Sequence, residues 1–197
     1  MTEPLLICLM GAECTGKTTL AKALAQHFAA LWVPEYLREF CEKHDRTPAK
    51  QEQPLILQTQ LERQAQVQVQ ARQQRLGLVF CDSSALLTAI YSDFYFADKS
   101  LHDCAHALHQ GYALTLLLAA DLPWLADGLQ RDGRLVQAAI QALIERELVA
   151  GAHPFVRIAG GAAPRLQAAI DAVSEGAVAN HAQNRCRTPS PKLLPLS

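Results

Sequence analysis

The sequence predicts a three-layer α/β domain whose central sheet is mostly parallel and has about five strands. Two observations support this. Five apolar runs recur along the 197 residues, each bounded by turn or charged residues, and longer stretches with helical spacing separate them. Strands that lie between two helix layers read as continuous apolar runs, because both of their faces are buried. Half of the residues are hydrophobic, which is enough for one compact domain with a full core.

We place the strands on the five apolar runs, at residues 5–10, 31–33, 76–81, 113–120 and 155–158. A long glutamine-rich segment, 51–75, lies between the second and third strands. Its apolar residues recur near helical spacing and glutamine is a good helix former, so we expect a helix that covers the sheet or the substrate cleft. The domain is expected to span 1–184. The proline-rich end predicts a disordered tail at 185–197 without a catalytic part.

The net charge indicates which classes of partner the protein binds, and the cysteines indicate the cellular compartment in which it is found. A formal net charge of −1 offers no basic field for binding nucleic acid or an anionic membrane, so a small-molecule partner is expected. The six cysteines have no C-x-x-C spacing and are interpreted as reduced thiols. No apolar run reaches the ~20 residues that cross a bilayer, and the N-terminus lacks a signal-peptide pattern. We therefore expect a cytoplasmic protein.

A phosphate-binding motif directly follows the first strand. The run matches G-x-x-x-x-G-K-[ST] and consists of Gly11, Ala12, Glu13, Cys14, Thr15, Gly16, Lys17 and Thr18. Its glycines let backbone N–H groups converge on phosphate oxygens, and the helix that continues through Thr19 favours an anion at its N-terminus. Lys17 can reach the β and γ phosphates as a catalytic charge, and Thr18 offers a hydroxyl to Mg²⁺. The motif predicts ATP binding without identifying the group that receives the γ phosphate.

An acidic residue follows the third apolar run. Asp82 would lie at the carboxyl end of a strand, where a carboxylate can meet the Mg²⁺ side of the phosphate loop. We predict that Asp82 and Thr18 hold Mg²⁺. The alternative is that Asp82 caps the next helix beside Ser83 and Ser84.

A second acidic residue and an arginine follow the second strand, on the sheet edge that carries ligands in this topology. Glu35 is the first candidate for a general base. Arg38 shares a helix face with it and could hold a ribose, a phosphate or a carboxamide-bearing substrate. The choice of base between Glu35 and Asp82 stays open, and a surface salt bridge between Glu35 and Arg38 is the alternative for this pair.

A short lid is predicted after the fourth strand, where Asp127-Gly128 makes a turn and Arg131 and Arg134 are free to project. A lid arginine would neutralise the charge on the transferring phosphoryl group and exclude water as the lid closes. Arg131 is the catalytic candidate, although both arginines could instead be solvated charges. Trp124 could stack on a flat ring or anchor the loop into the core.

Three histidines, His102, His106 and His109, recur at i, i+4 and i+7. This spacing is compatible with a metal-binding helix face, but no matching ligand pair appears elsewhere in the sequence. We therefore expect surface histidines, and Mg²⁺ as the only metal.

Four motifs follow one another in a specific order: G-A-E-C-T-G-K-T-T-L, P-E-Y-L-R-E-F, V-F-C-D-S-S and D-L-P-W-L-A-D-G-L-Q-R-D-G-R. Together they resemble the ribosylnicotinamide kinase domain of the bifunctional bacterial NAD-biosynthesis regulators, part of a P-loop ATPase/kinase family. The resemblance implies a P-loop kinase fold that uses ATP and Mg²⁺ to phosphorylate the 5′ hydroxyl of nicotinamide riboside, giving nicotinamide mononucleotide for NAD synthesis. It implies that Glu35, Tyr36 and Arg38 face the substrate and that Trp124 and Asp127 border the lid.

Two features depart from that family. The regulators carry an adenylyltransferase domain ahead of the kinase, whereas this chain starts just before the first strand, so we expect the second activity to be missing. An arginine is expected two residues after the lid glycine, but Gln130 stands there and Arg131 follows. Either Arg131 substitutes with a shifted backbone, or the lid is catalytically weaker. The rival functions are a kinase for another small acceptor and a regulatory P-loop ATPase that acts as a nucleotide-dependent switch.

Overall fold

The computed structural model describes residues 3–123 and 133–186. The elements follow in the order β1 (Leu5–Met10), α1 (Lys17–His27), β2 (Leu31–Val33), α2 (Tyr36–His44), a 3₁₀ turn (Lys50–Glu52), α3 (Gln53–Gln73), β3 (Leu78–Asp82), α4 (Ala85–Phe96), α5 (His102–His109), β4 (Leu114–Leu118), α6 (Gly133–Ala150), β5 (Phe155–Ile158) and α7 (Ala162–Cys186). Strands and helices therefore alternate along the chain, as the sequence predicts.

The five described strands form one sheet in the order β2-β3-β1-β4-β5, and every neighbouring pair is parallel. This confirms the predicted α/β fold. The bounds of β1, β2 and β5 agree with the prediction, whereas β3 starts two residues late. The reason is that the Leu76 amide donates to the Ala71 carbonyl at 2.9 Å, so Leu76 belongs to the turn that closes the end of α3.

Both faces of the sheet are apolar, and helices cover both. Ile7 and Leu9 of β1 point to one face, where they pack with α1 and α7. Cys8 and Met10 point to the other face, where they pack with α4 and α6. Since successive side chains of a strand alternate between faces, a strand with two buried faces is apolar throughout. The three layers are thus helices, sheet and helices.

The glutamine-rich segment forms α3, which packs beside β2 and β3. Ile56 and Leu57 are buried in it, whereas Leu55 and Val69 are exposed. Gln60 is buried as well, so the helix presents a mixed polar and apolar face to the domain. The predicted helix is confirmed, and its buried glutamine matters for the site described below.

Two predicted segments lie wholly or mostly outside the described residues. Helix α7 ends at Cys186 and includes the first two residues of the predicted tail, while 187–197 are not described. The greater part of the predicted lid, 124–132, is not described either. Among the described helices, none combines the length and apolarity needed to cross a membrane.

Candidate active site

The candidate site lies where the carboxyl ends of β2, β3 and β1 stand side by side in the sheet. This order brings together the phosphate loop after β1, Glu35 after β2 and Asp82 at the end of β3. Leu9 and Asp82 are partners in the β1–β3 register, which places the carboxylate beside the loop. Three segments that are distant in the sequence therefore meet at one sheet edge.

The loop between β1 and α1 is tightly folded. Gly16, at the N-cap of α1, has a φ of 83°, in the left-handed region that glycine adopts without strain. At Gly11, an added Cβ would lie 2.7 Å from Thr15 Oγ1 and 3.0 Å from the Leu118 carbonyl oxygen, so the loop has no room for a side chain there. Cys14 is also left-handed, with a φ of 55°. The loop has the curvature that a phosphate-binding motif requires.

Lys17 lies inside this loop and is only 9% exposed. Its ammonium donates hydrogen bonds to the carbonyl oxygens of Gly11 and Ala12, both at 3.0 Å. Helix α1 begins at Lys17, so the N–H groups and dipole of its first turn add to the positive field of the ammonium. These charges favour an anion at the mouth of the loop.

Thr18 and Asp82 face each other. The Thr18 hydroxyl donates to Asp82 Oδ2 at 2.5 Å, and Asp82 is 1% exposed. The other carboxylate oxygen, Oδ1, is buried and has no hydrogen-bond partner within the described residues. Helix α4 has Ser84 as its N-cap, so the alternative role of Asp82 as a cap does not apply. A hydroxyl beside an unpaired buried carboxylate oxygen fits a hard cation such as Mg²⁺.

Glu35 lies at the N-cap of α2, beside the same loop. Burial of its carboxyl group raises the pKa of Glu35, and this effect outweighs the opposing positive charges of Lys17 and Arg38. Ser83 donates a hydrogen bond to the carboxylate and has a left-handed φ of 82°, a conformation that costs a non-glycine residue strain. A carboxylate with a raised pKa in a cleft has the property that a general base needs.

Two cavities meet at Glu35. The larger is a cleft of about 490 Å³, lined by residues 14–19 of the phosphate loop with Glu35, Arg38, Leu122 and Pro123. The smaller, about 10 Å³, is lined by Glu35, Leu37, Ile56, Gln60, Ser83, Leu87, Thr88 and Tyr91. The larger volume is typical of small-ligand sites, whereas the smaller holds little more than one water molecule. Glu35 thus separates a phosphate cleft from a narrow pocket with polar groups.

Arg38 and Tyr36 are placed differently with respect to these cavities. Arg38 lines the larger cleft. The ring of Tyr36 lies 4.6 Å from the Arg63 guanidinium and packs edge-on against Phe40, and it lines neither cavity. Arg38 is therefore in a position to meet a ligand, while Tyr36 connects α2 to α3.

The lid candidates Trp124, Asp127 and Arg131 lie outside the described residues. The chain before them approaches the phosphate loop, since Leu122 and Pro123 line the larger cleft. The Leu122 side chain lies close to Gly16, where an added Cβ would come within 3.2 Å of Leu122 Cδ1. The last described residues before the predicted lid therefore lie at the phosphate cleft.

Residues 6–165 match a family model described as an AAA domain. The chain belongs to this AAA domain family. The matched region is most of the chain and includes the phosphate loop, Glu35 and Asp82. The resemblance to a P-loop ATPase/kinase family, inferred from the sequence motifs, is confirmed.

Solved structures share the fold of this AAA domain. NadR protein in complex with NAD and AMP-PNP has a TM-score of 0.69 and 20% identity, over 98% of this chain and 52% of that one. NadR protein in complex with NR has a TM-score of 0.71 at the same identity and coverage. This chain spans about half the length of those NadR chains. A deoxyadenosine kinase from M. mycoides has a TM-score of 0.60 and 10% identity, over 87% of this chain and 100% of that one. Comparison with curated proteins finds no match.

Two glutamines that the sequence did not single out brace the phosphate loop of the AAA domain. Gln141 of α6 accepts a hydrogen bond from the Ala12 N–H at 3.0 Å and donates one to the Leu118 carbonyl at 3.0 Å. Gln137, one turn earlier, donates to the Glu13 carbonyl at 2.8 Å. Helix α6 therefore holds the outer side of the loop by its backbone.

A third brace is Arg165 of α7, which is 3% exposed. Its guanidinium donates to the Thr15 carbonyl at 2.7 Å and to the Gly160 carbonyl at 3.0 Å, and it pairs with Asp121. These contacts join the loops after β4 and β5 to the phosphate loop. No local signal identifies such braces, because the residues of α6 and α7 lie 124 to 150 positions from their partners in the loop.

Proposed function

We propose that this AAA domain is an ATP-dependent kinase for a small nucleoside, with nicotinamide riboside as the acceptor. The observation that carries the proposal is the position of Glu35, which lines both the phosphate cleft and the narrow polar pocket. An in-line phosphoryl transfer needs the acceptor hydroxyl next to the γ phosphate, with a base within hydrogen-bond reach of that hydroxyl. Glu35 lies beside the cleft that can hold the donor phosphates, and an acceptor would reach its carboxylate as the narrow pocket of about 10 Å³ widens.

The donor side is the phosphate loop. Its backbone N–H groups and the Lys17 ammonium would bind the phosphates of ATP, and Lys17 would exchange the carbonyls of Gly11 and Ala12 for phosphate oxygens. Thr18 and Asp82 would hold Mg²⁺, which neutralises phosphate charge when bound. The remainder of the cradle, including Cys14 and Thr19, lines the cleft in which the triphosphate would lie.

The acceptor side is centred on Glu35. Its carboxylate would accept the proton of the acceptor hydroxyl as the oxygen attacks the γ phosphorus, and a raised pKa matches the group to that task. Asp82 is the other candidate for the base, and its hydrogen bond with Thr18 suits it better to the metal side. Arg38 would contact the substrate from the cleft. Tyr36, Trp124 and Asp127 as substrate contacts, and Arg131 as the lid charge, remain part of the proposal.

The ligands of proteins with this fold support the choice of reaction. The NadR structures hold NAD with AMP-PNP, or NR, and the deoxyadenosine kinase holds nucleotide products. The riboside itself is proposed from the motif resemblance, since fold likeness at 20% identity does not determine an acceptor.

The test is ADP release from the full chain with Mg²⁺-ATP, alone and with nicotinamide riboside, with the product analysed by mass. We expect the riboside to stimulate ADP release and nicotinamide mononucleotide to appear. Glu35→Gln should lower kcat about 10²-fold or more with ATP affinity retained. Glu42→Gln, an exposed glutamate on the same helix, is the matched control and should keep the wild-type rate.

Two other outcomes would overturn the acceptor or the reaction. Stimulation by a different nucleoside, and not by the riboside, would keep the kinase and replace its substrate. Slow ATP turnover that no nucleoside changes, together with a partner bound only in one nucleotide state, would replace the kinase with a regulatory switch.

A further inference from the structure

A cluster of metal-ligating side chains lies outside the nucleotide site, where α5 meets the C-terminal half of α6. His102 and His106 are one turn apart on α5, and Glu147 faces them from α6. One potential ligand atom from each of the three lies within 4.8 Å of the others. His109, the third histidine of the predicted row, is turned elsewhere, with its ring nitrogens 3.2 Å from Ser84 Oγ and 2.9 Å from Thr115 Oγ1. The third candidate ligand in the cluster is therefore the carboxylate of Glu147 and not the ring of His109.

The two distances from Glu147 to the histidines are close to those of tetrahedral coordination. Glu147 Oε2 lies 3.5 Å from His102 Nδ1 and 3.2 Å from His106 Nε2. Bonds of about 2.0–2.1 Å to Zn²⁺ separate the ligand atoms of a tetrahedron by roughly 3.3 Å. The three ligand atoms lie within 4.8 Å of one another, so a rotation of the side chains would bring them around one ion. A donor set of two imidazoles and one carboxylate binds zinc in preference to magnesium.

We propose that His102 Nδ1, His106 Nε2 and Glu147 Oε2 bind a divalent transition-metal ion of the Zn²⁺ class. Three protein ligands leave one coordination position for water. The side chains of these residues are 14%, 23% and 12% exposed, so the ion can enter from solvent and the site is still mostly enclosed. The bound ion would join α5 to α6.

In His106 and Glu147, the side-chain atom that would not bind the metal has a hydrogen-bond partner. His106 Nδ1 lies 3.0 Å from His153 Nε2, so the second ring nitrogen of this ligand has a partner. His102 Nε2 is buried, lies 3.7 Å from Asp93 Oδ2 and makes no hydrogen bond within the described residues. Glu147 Oε1 accepts hydrogen bonds from Arg146 at 2.9 and 3.1 Å. Contacts of this kind fix the orientation of ligands in metal sites.

Gly151 makes room for this arrangement. An added Cβ there would lie 2.6 Å from His106 Nδ1 and 2.4 Å from His153 Nε2. The two rings stack with their centroids 5.2 Å apart and an interplanar angle of 10°. The glycine thus permits the contact that holds His106 in its ligand orientation.

The competing explanation is an ion-pair cluster in which Glu147 neutralises protonated histidines without any metal. Direct metal binding separates the two explanations. Zn²⁺ and Co²⁺ would be titrated into the full chain under reducing, metal-free conditions, by calorimetry for Zn²⁺ and by visible absorption for Co²⁺. We expect one equivalent to bind, with the d–d bands of a tetrahedral Co²⁺ site and no thiolate charge-transfer band.

Variants assign the site. Glu147→Gln, His106→Gln and His102→Gln should each weaken Zn²⁺ binding more than about 100-fold, and His153→Gln, which contacts a ligand, by about 10- to 100-fold. His44→Gln, an exposed histidine on α2, is the matched control. Cys104→Ser tests the exposed thiol on α5, and Asp82→Asn tests the proposed Mg²⁺ site. All three should bind Zn²⁺ as the wild type does.

Circular dichroism would check that each variant is folded, and the three ligand variants are independent, so a single unfolded variant leaves the assignment testable. No metal binding by the wild type, or binding that survives Glu147→Gln and is lost in Cys104→Ser or Asp82→Asn, would overturn the proposal. Excess Mg²⁺ should leave bound Zn²⁺ in place, because a site with two imidazoles disfavours a hard cation.

Discussion

The two sides of the candidate site are held in different ways. The phosphate loop is bonded through its backbone to α6 and α7, by Gln137, Gln141 and the buried Arg165. The start of α2, which has Glu35 as its N-cap, is bonded to α3 by the buried Gln60 and by Arg63, which pairs with Glu39. Contacts that span 124 to 150 residues thus fix the donor side, whereas contacts with one helix, 24 to 26 residues away, position the acceptor side.

This difference matches the two tasks. A triphosphate cradle has one shape whatever the acceptor, so a rigid and multiply braced loop serves it well. Acceptors differ in size, and a start of α2 that is held mainly by one neighbouring helix can move with it to admit them. The narrow pocket of about 10 Å³ beside Glu35 must widen for any nucleoside, which a braced wall would resist.

Removing the charge at the centre of the donor side should have the largest effect. Lys17→Met deletes the ammonium within the loop, and turnover should fall by about 10²- to 10³-fold, because a preorganised charge on the phosphates is lost. Steady-state ADP release measures it. Lys22→Met, on the exposed face of the same helix, should keep the wild-type rate. If turnover falls equally in the two variants, the loss results from a change in α1 and not from the missing charge in the phosphate loop.

Removing a brace should be the next largest effect. Arg165→Met removes the donor of the Thr15 and Gly160 carbonyls and the charge that pairs with the half-exposed Asp121, so the free energy of unfolding should fall by about 2–3 kcal/mol. ATP affinity should fall with it. Urea denaturation and nucleotide titration measure the two quantities. Arg157→Met breaks an exposed pair with Glu145 and should cost less than about 1 kcal/mol. If the two variants lose similar amounts of unfolding free energy, the burial of Arg165 does not make its contacts more stabilising than those of Arg157.

A change on the acceptor side should be smaller and selective. Gln60 accepts the Tyr36 N–H at 2.7 Å and donates to the Pro34 carbonyl at 3.2 Å. Gln60→Met removes both bonds, at a cost of about 1–3 kcal/mol. The KM for the acceptor should rise while the Kd for ATP stays unchanged. Gln58→Met, exposed on the same helix, is the control. A parallel loss of ATP affinity would show that the two sides are not independent.

The dependence of stability on pH sharpens the comparison at Glu35. Because burial raises the pKa of Glu35, the folded protein binds this proton more tightly than the unfolded chain. The resulting stabilisation is fully present below the ordinary pKa of 4.5 and is lost as pH rises through the raised value. Glu35→Gln has no such proton, so its free energy of unfolding should increase relative to the wild type over this window. Urea denaturation at several pH values measures the difference, and a difference that is constant with pH would contradict the raised pKa.

The sequence predicted those parts of the site that depend on local pattern. The phosphate motif and the strand preceding Asp82 are continuous in the chain, and parallel strands end at one edge, so the contact between Thr18 and Asp82 followed. The braces could not be found this way, because a glutamine or arginine on a helix has the same local pattern whether it is buried or solvated. Likewise, the left-handed Cys14 and Ser83 depend on packing that overrides their residue preferences.

Helix α6 carries Gln137 and Gln141 near its start and Glu147 near its end. Ten residues of α-helix span about 15 Å, so a single stiff rod connects the phosphate cradle to the histidine cluster. A ligand that displaces either end has to work against the contacts at the other. Thermodynamic linkage then requires reciprocity: whatever factor zinc contributes to nucleotide affinity, nucleotide contributes to zinc affinity. Any coupling between the proposed metal site and the phosphate loop would therefore pass through α6, without a shared ligand.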